Sequence, residues 1–396
     1  MDPKIPKMNS MIPDGTVSRS IEIGLRVIGV WPDSSYSVLR RAFWMITLTM
    51  AQTFQYRYFV IHVRTDDLSH LMDGLSTTMS YSLLLLKLTI FWINRRLLNE
   101  IIASMSKDWK ECDISNEYTM TRIAYVSRWV SNVIIFSHMM SVFLYATGTL
   151  LKIKSKNQTN TRELIIKMEI PFEIETTPQH VIILVTQFIH QTTAAGMVGV
   201  LDSLLIILVL HICGQIDLMR QKLSEVTRKN IERKNVDQDV NESIVKALII
   251  RHQQIITFSK NIENLYSNIA LIQFFSNTLV ICCLGFLIVI SIGVPGGSMM
   301  LIKSVFFYIV MSLEAFIYCF VGEHLSTKSE MIGDSAYESL WYESSPSQNR
   351  DIHIMIIRSQ KHLTLTIGKV AELSLRQFAN IIKASASYVS VLHAMY

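Results

Sequence analysis

The chain has 396 residues, of which half are hydrophobic and only 17% are charged, and its mean hydropathy is +0.31. Because soluble domains carry about a quarter charged residues, this composition excludes an ordinary soluble protein and indicates a bilayer. The formal net charge of +5 does not indicate nucleic-acid binding, because the basic residues lie mainly beside apolar stretches, where membrane topology accounts for them.

The first 41 residues precede any apolar stretch of spanning length. They hold several Lys and Arg residues but no apolar region followed by a small-residue cleavage site. We therefore expect no cleaved signal peptide and predict that residues 1–41 form a cytoplasmic N-terminal segment.

Membrane spans are predicted next, because a spanning helix needs roughly 20 mostly apolar residues. A seventh stretch, about 373–395, meets this requirement only if Arg376 and Lys383 are tolerated. We predict an all-α integral membrane protein with seven transmembrane helices, the first six within 42–321. Those six stretches lie at about 42–63, 71–93, 129–151, 179–213, 268–294 and 299–321.

The distribution of Lys and Arg between the spans predicts the orientation. These residues are concentrated on the side that holds the N-terminus, whereas the opposite side has Arg64 and a few basic residues in 152–178. Since basic residues favour the cytoplasm, the N-terminus should be cytoplasmic. The sequon at Asn157 then lies outside, where glycosylation is possible.

Residues that could support catalysis or bind metal do not form a recognisable pattern. The five cysteines have no Cys-x-x-Cys spacing, and His138, His190 and His211 occur singly, without an acidic or cysteine partner at i+3 or i+4. There is no nucleophile elbow and no phosphate-binding loop. We predict neither an enzyme nor a cofactor.

Amphipathic segments lie on the predicted cytoplasmic side. Apolar residues recur at helical spacing through about 214–267, so spans four and five should continue as helices below the membrane. Gly322 and Gly333 flank a predicted polar linker, and a further amphipathic helix ends near 358–361. We expect 322–362 to form an anchor region that packs on these extensions or on a neighbouring subunit.

The last helix, within 363–396, alternates small or polar side chains with bulky apolar ones. Polar groups in hydrocarbon are costly unless they face protein or water, so this helix lines an aqueous path or is buried in the bundle. Val391 and Met395 would form a hydrophobic constriction in such a path. One face with i+3 and i+4 spacing is a candidate pore lining: Gln377, Ile381, Ala384, Tyr388, Val391 and Met395.

The C-terminal third resembles the insect odorant receptors, and the rest of the chain resembles them weakly. His362 departs from the pattern, because members of that family often have proline at this position. The resemblance rests on these residues: Tyr318-Cys319, Gly322-Glu323, Ala336-Tyr337, Trp341-Tyr342, Arg358-Ser359-Gln360-Lys361, Phe378, Lys383-Ala384-Ser385 and Ser387-Tyr388.

The resemblance implies a ligand-gated cation channel in the plasma membrane of olfactory sensory neurons. In that family an odorant-specific subunit and a shared co-receptor form a tetramer through anchor helices, and a valine three residues after a tyrosine forms the gate, here Val391. The chain lacks the long insertion between spans four and five that marks the co-receptor, which implies a tuning subunit. The implied subunit-interface residues are Tyr337, Trp341, Tyr342, Arg358 and Gln360.

The resemblance also implies a ligand site in the outer half of the bundle, among spans two, three, four and six. A cavity lined by apolar, aromatic and methionine side chains suits a small volatile hydrophobic compound. The implied ligand-binding residues are Met72, Leu75, Met79, Met140, Phe143, Leu144, Thr147, Val185, Phe188, Thr192, Phe307, Tyr308 and Met311.

Three other protein classes remain as alternatives. A gustatory-receptor-like channel would share the architecture and work without a co-receptor. A G-protein-coupled receptor is disfavoured by the predicted orientation and by the lack of cysteine in 152–178, and a transporter by the lack of repeat-related broken helices. Asp202 and Glu314 lie within spans, where an ionisable group is either functional or paired with a nearby basic side chain.

Overall fold

The computed structural model describes residues 17–31, 36–112, 114–155, 163–232, 238–292, 297–339, 341–343 and 346–395. Within these residues the chain is almost entirely helical, as predicted. The helices in chain order are α1 Arg19–Ile28, α2 Ser37–His62, α3 Leu68–Ile93, α4 Arg95–Lys110, α5 Ile114–Ser155, α6 Thr177–Glu232, α7 Gln238–Ser291, α8 Ser298–Tyr337, α9 Pro346–Ser359 and α10 Leu375–Met395.

Each of the seven predicted spans largely coincides with part of one helix, in chain order α2, α3, α5, α6, α7, α8 and α10. Among the described helices, α3, α5, α6, α7 and α8 are long and apolar enough to cross a membrane. Helices α2 and α10 have 26 and 21 residues. At 1.5 Å per residue both are long enough to cross a hydrocarbon core of about 30 Å, although these two helices are more polar.

Several helices extend well beyond the hydrocarbon. Helix α6 has 56 residues and α7 has 54, so each is about 80 Å long at 1.5 Å per residue. The helical continuation expected after span four and before span five is therefore present. We call the end of the bundle with α4 and α9 the anchor end, and the end with segment 163–176 the loop end.

The predicted linker between Gly322 and Gly333 is wrong, because α8 runs through both glycines to Tyr337. Gly322 does not interrupt the helix; it permits a close approach. A Cβ atom at this position would lie 2.4 Å from the backbone oxygen of Leu373, in the segment that leads into α10. The glycine therefore marks a packing contact between α8 and this segment.

Two short amphipathic helices, α1 and α4, were not predicted. Helix α1 buries Ile21, Leu25 and Ile28, which have the i, i+4, i+7 spacing of one helix face, and Gly29 ends it in the left-handed conformation typical of a helix C-terminus. It packs on α2 and α6, whereas α4 packs on α3 and α7. Both were overlooked because they are too short and too polar to resemble spans.

A small hairpin joins the anchor end to α10. Strand β1, Thr366–Ile367, pairs antiparallel with β2, Ala371–Glu372. Gly368 and Lys369 turn the chain with φ of 59° and 62°, and the Gly368 amide donates a hydrogen bond of 2.9 Å to the Ser267 carbonyl of α7.

Glu263 of α7 also holds the hairpin. Its carboxylate accepts hydrogen bonds from the Thr366 hydroxyl and, at 2.8 Å, from the Thr366 amide. The direction in which α10 leaves the anchor end is therefore set by contacts with α7 and α8.

Candidate functional site

A buried cluster of charged side chains links three helices in the middle of the bundle. Lys87 of α3 is 1% exposed, and its Nζ lies 2.7 Å from Oδ1 of Asp202 on α6 and 2.9 Å from Oε1 of Glu314 on α8. The Tyr318 hydroxyl donates a 2.9 Å hydrogen bond to Asp202 Oδ1. We call these four residues the inner cluster. Lys87 is the basic partner that the sequence left open for Asp202 and Glu314.

A second ion pair lies nearer the loop end. Lys303 Nζ of α8 is 2.7 Å from Asp73 Oδ2 of α3, and the Tyr145 hydroxyl of α5 lies 3.3 Å from Asp73 Oδ1. The Lys303 ammonium also lies 4.5 Å from the centre of the Tyr145 ring, a cation–π geometry. We call these three residues the outer cluster.

A cavity lies between the two clusters, with about 680 Å³ of space between its walls, including the part open to the surroundings. On α3 and α8 its lining residues occur at sequence positions between the two clusters and extend to Glu314. The lining residues are Thr77, Ser80, Tyr81, Leu83, Leu84, His138, Ser141, Val142, Tyr145, Gln191, Ala194, Ala195, Val198, Phe307, Val310, Met311 and Glu314.

Some polar atoms at the cavity have no internal partner. Gln191 is 7% exposed, and its Oε1 has no hydrogen-bond partner among the described residues. Oδ2 of Asp202 also lacks one, and it lies 3.9 Å from Nε2 of His138, which is beyond hydrogen-bonding distance. Unpaired acceptors therefore remain at Gln191 on the α6 wall and, eleven residues further along the same helix, at Asp202 in the inner cluster.

Two carboxylates of the inner cluster, together with His138, form the one group of described side chains whose geometry resembles a metal site. One donor atom from each of His138, Asp202 and Glu314 lies within 4.8 Å of the others. However, the Lys87 ammonium already bonds to both carboxylates, so it supplies the positive charge that a metal ion would bring. These residues do not fit a metal ion.

The structure brings two of the predicted ligand-binding residues to the cavity, Phe307 and Met311. Met72, Met79 and Tyr308 are half-buried and pack against an adjoining apolar cluster of α7, α8 and α10. The other eight do not line the cavity: Leu75, Met140, Phe143, Leu144, Thr147, Val185, Phe188 and Thr192. Among these, Phe143 and Val185 are exposed on the outside of the bundle.

The candidate pore residues of α10 do not share one environment within the single chain. Ile381 is 2% exposed and packs in the apolar cluster with Val280 and Ile281, so it does not face open space. Tyr388 and Val391 are exposed. Gln377 and Ala384 are half-buried, and the Met395 side chain lies outside the described part of the chain.

The exposed face of α10 is mostly polar. Arg376, Asn380, Lys383, Ser387 and Val391 are all exposed and follow one another at spacings of three or four residues, which places them on one side of the helix. On the opposite side, Ile381 and Ser385 are buried against the bundle. A polar face of this kind is costly in lipid.

The candidate interface residues lie on and around α9. Tyr337, Tyr342 and Gln360 are exposed, whereas Trp341 is half-buried and packs against the main apolar core. Arg358 donates a hydrogen bond of 3.4 Å to the backbone carbonyl of Lys361. The predicted glycosylation site, Asn157, lies outside the described residues.

A polar junction at the anchor end ties α4 to α6 and α7. Asp108 accepts hydrogen bonds from His211 Nε2 at 2.8 Å and from Arg251 Nη1 at 2.7 Å, and Arg251 also donates to Gln215. Burial raises the pKa of Asp108, but the hydrogen bonds and charges of His211 and Arg251 outweigh it and hold that pKa below its usual range. The folded state therefore favours the ionised carboxylate.

We expect this junction to weaken at acid pH. Because the pKa of Asp108 is lower in the folded than in the unfolded state, its stabilisation is complete above the unfolded pKa of about 3.9 and is lost as the pH falls through the folded value. The Asp108→Asn variant should therefore unfold at a lower temperature than the wild type at neutral pH, and the gap should narrow below about pH 4.

Unfolding temperatures of the detergent-purified chain between pH 3 and 7 would measure this gap. Glu111→Gln is the matched control, because Glu111 is exposed at the end of the same helix and lies 3.7 Å from Lys107 in a surface pair. A gap for Asp108→Asn that is absent at neutral pH, or constant at all pH values, would contradict the expectation.

Comparison with known proteins gives matches to odorant receptors. Residues 67–386 match the family described as 7tm odorant receptor. Odorant receptor 13a of Drosophila melanogaster is 27% identical over 210 residues, 49% of this chain and 48% of that protein. Odorant receptor 10 of Aedes albopictus is 27% identical over 42% of both chains. The chain thus covers about half the length of these relatives or less, whereas it matches 89% of Drosophila odorant receptor 9a, at 22% identity.

Solved structures share the fold. The insect olfactory receptor OR5 from Machilis hrabei, in complex with eugenol, superposes with a TM-score of 0.78 at 14% identity, covering 95% of this chain and 97% of that chain. A second structure of that receptor gives a TM-score of 0.76 at 16% identity, with coverage of 94% and 96%. This likeness confirms the predicted all-α membrane fold.

Proposed function

This chain belongs to the odorant receptor family, a family of membrane receptors and not of enzymes, and from that premise we propose that it is the odorant-binding subunit of a ligand-gated cation channel. A shared co-receptor completes the channel as a heterotetramer. The N-terminus lies in the cytoplasm, and the assembly works in the plasma membrane of olfactory sensory neurons.

The observation that carries this proposal is the cavity between the inner and outer clusters. Ligand pockets commonly have mostly apolar walls with a few polar groups, and this cavity has a lining of that kind. The two ion pairs hold α3 and α8 together above and below it. A small volatile hydrophobic ligand would bind between these two ion pairs.

Contacts from the cavity to α10 provide a route for gating. Met311 lines the cavity and belongs to the same apolar cluster as Ile381 of α10. Five residues along α8, Phe316 packs edge-to-face on Phe378 of α10, with 5.5 Å between ring centres. A ligand that displaces α8 would therefore displace the helix that lines the pore.

The exposed polar face of α10 supports its role in the pore. Four such helices around an axis would turn Lys383, Ser387 and Val391 toward water and relieve the cost of a polar face in lipid. Val391 would then form a hydrophobic gate. The exposed residues Tyr337, Tyr342 and Gln360 near α9 are available for contacts between subunits.

The proposal is tested by whole-cell current in cells that express this chain, the co-receptor, or both, during application of a panel of volatile compounds with a G-protein blocker present. We expect cation current from the pair alone. Current from this chain alone would favour a channel that needs no co-receptor, as in the gustatory-receptor class. Absence of current despite surface expression of both chains would overturn the proposal.

A cavity-filling variant links the current to the described site. Ala195→Phe adds a ring at the cavity wall and should abolish responses that the wild type gives, without loss of surface expression. Val185→Phe is the matched control, because Val185 is on the same helix but is exposed on the outside of the bundle. Equal responses from both variants would place ligand binding elsewhere.

A further inference from the structure

Helix α10 carries two basic side chains on its exposed face. Its Lys and Arg residues are Arg376 and Lys383, and the segment from Leu375 to Met395 contains no acidic residue. Both basic residues are exposed and lie seven residues apart, which places them on one side of the helix. This face therefore brings positive charge, and no negative charge of its own, to its surroundings.

The two basic residues differ in their distance from the ends of the helix. Arg376 is the second residue of α10, and at this end Glu323 of α8 accepts a 3.3 Å hydrogen bond from the Leu375 amide, so a carboxylate is present there. Lys383 follows the first residue of α10 by eight positions and precedes the last by twelve, or by roughly 12 Å and 18 Å at 1.5 Å per residue. Lys383 has no ion pair among the described residues.

Packing places Lys383 at the depth of the cavity. Ile381, two residues earlier on α10, packs in the apolar cluster that contains Met311, and Met311 lines the cavity. A lysine near the end of a span can extend its ammonium to the headgroups, whereas a charge in the middle of a span needs protein or water around it. Because Lys383 is exposed at this depth, it would be costly in lipid.

The neighbours of Lys383 on this face are also unlike a lipid-facing surface. In the middle of α2 the exposed side chains include the bulky apolar residues Ile46 and Met50, which suit lipid. On α10, Lys383 lies between Asn380 and Ser387 on the same side of the helix, and both are exposed. Three polar side chains on successive turns indicate that this part of α10 faces water.

We propose that Lys383 faces the ion path of the assembled channel and limits the entry of divalent cations. This inference rests on the channel function proposed above. Charged side chains that line a pore select ions by the sign of their charge, and Coulomb repulsion is proportional to the charge of the ion. The lysine repels a calcium ion twice as strongly as a sodium ion, so it lowers the permeability to calcium relative to sodium.

Replacement of Lys383 by Gln should raise the ratio of calcium to sodium permeability roughly twofold, as expected when one charge about 8 Å from the ion is removed in a water-like dielectric. The ratio is measured from reversal potentials in cells that express the chain with the co-receptor, with current evoked by the most effective compound of the volatile panel. Lys383→Arg keeps the charge and should keep the ratio. Lys110→Gln is the matched control, because Lys110 is exposed on α4, which packs on α3 and α7.

A cysteine at the same position tests the sign of the effect. A methanethiosulfonate reagent forms a mixed disulfide with Lys383→Cys and releases a sulfinate, so a trimethylammonium reagent restores a positive charge and a sulfonate reagent adds a negative one. The cationic reagent should lower the calcium-to-sodium ratio toward the wild-type value, and the anionic reagent should raise it further. An unchanged ratio in Lys383→Gln, or the same effect from both reagents, would overturn the inference.

Chemical labelling separates this inference from the channel proposal. In membrane fragments, a membrane-impermeant biotin methanethiosulfonate should label Lys383→Cys above the background from the native cysteines. Met50→Cys should stay at that background, because Met50 is also exposed in the single chain but lies on the apolar face of α2. Labelling of Lys383→Cys without any evoked current would overturn the channel proposal and leave Lys383 facing water. Absence of labelling would overturn the placement of Lys383 in an ion path, whatever current is recorded.

Discussion

Replacement of Lys87 by Met is expected to lower the free energy of unfolding by about 3–5 kcal/mol, the range found when one partner of a buried ion pair is removed. The variant leaves Asp202 and Glu314 without the ammonium that bonds to both. It also removes a tie between α3, α6 and α8. Equilibrium unfolding of the chain in detergent, or the yield of monodisperse protein, measures the loss.

Two further variants show whether the loss comes from unpaired charge. Lys260→Met is the matched control, because Lys260 is exposed on α7 and surface changes usually stay within about 0.5 kcal/mol. Adding Asp202→Asn and Glu314→Gln to Lys87→Met should restore part of the stability, since the buried carboxylate charges are then gone. A Lys87→Met chain as stable as Lys260→Met would refute the role given to the inner cluster.

The spans could be predicted from the sequence because their signal is local. A run of roughly 20 apolar residues is characteristic of a membrane-spanning helix. The helical spacing of apolar residues beyond spans four and five was sufficient to predict that α6 and α7 continue outside the membrane. The prediction ended the helix of span six at Gly322 and placed a linker after it, because Gly322 and Gly333 were interpreted as helix breaks. Glycine also permits close helix packing, and the sequence does not show whether a neighbour such as Leu373 is present.

The residues that line the cavity were predicted less well than the spans. Which face of each helix points into the cavity depends on the rotation of four helices about their own axes, and the sequence does not give that rotation. The prediction favoured apolar and methionine-rich positions, whereas the lining follows polar residues within the spans. His138, Ser141 and Tyr145 on α5 have i, i+3, i+7 spacing, which places them on one face. Lys87 was overlooked in an apolar stretch, although a charge there requires a partner.

The segment that precedes α10 should be sensitive to a single methyl group on α8. At Gly322 a Cβ would lie 2.4 Å from the Leu373 carbonyl oxygen and 2.5 Å from the Leu373 Cβ. The backbone oxygen cannot rotate away as a side chain can, so Gly322→Ala must displace the chain between β2 and α10. We expect a loss of about 1–3 kcal/mol, the usual cost of overpacking, and a loss of current if α10 lines the pore.

Gly196→Ala is the control, because it makes the same change in the middle of α6, where nothing lies within 4 Å of the added Cβ. At this position the substitution replaces glycine, a poor helix former, with alanine, a good one, and creates no clash. This variant should therefore be more stable than the wild type by up to about 1 kcal/mol. Unfolding temperatures of both variants, measured beside the wild type, should therefore move in opposite directions. If Gly322→Ala gains stability as Gly196→Ala does, α8 and the segment before α10 do not pack as closely as the Gly322–Leu373 distances indicate. The route from the cavity to the pore helix would then need a different contact.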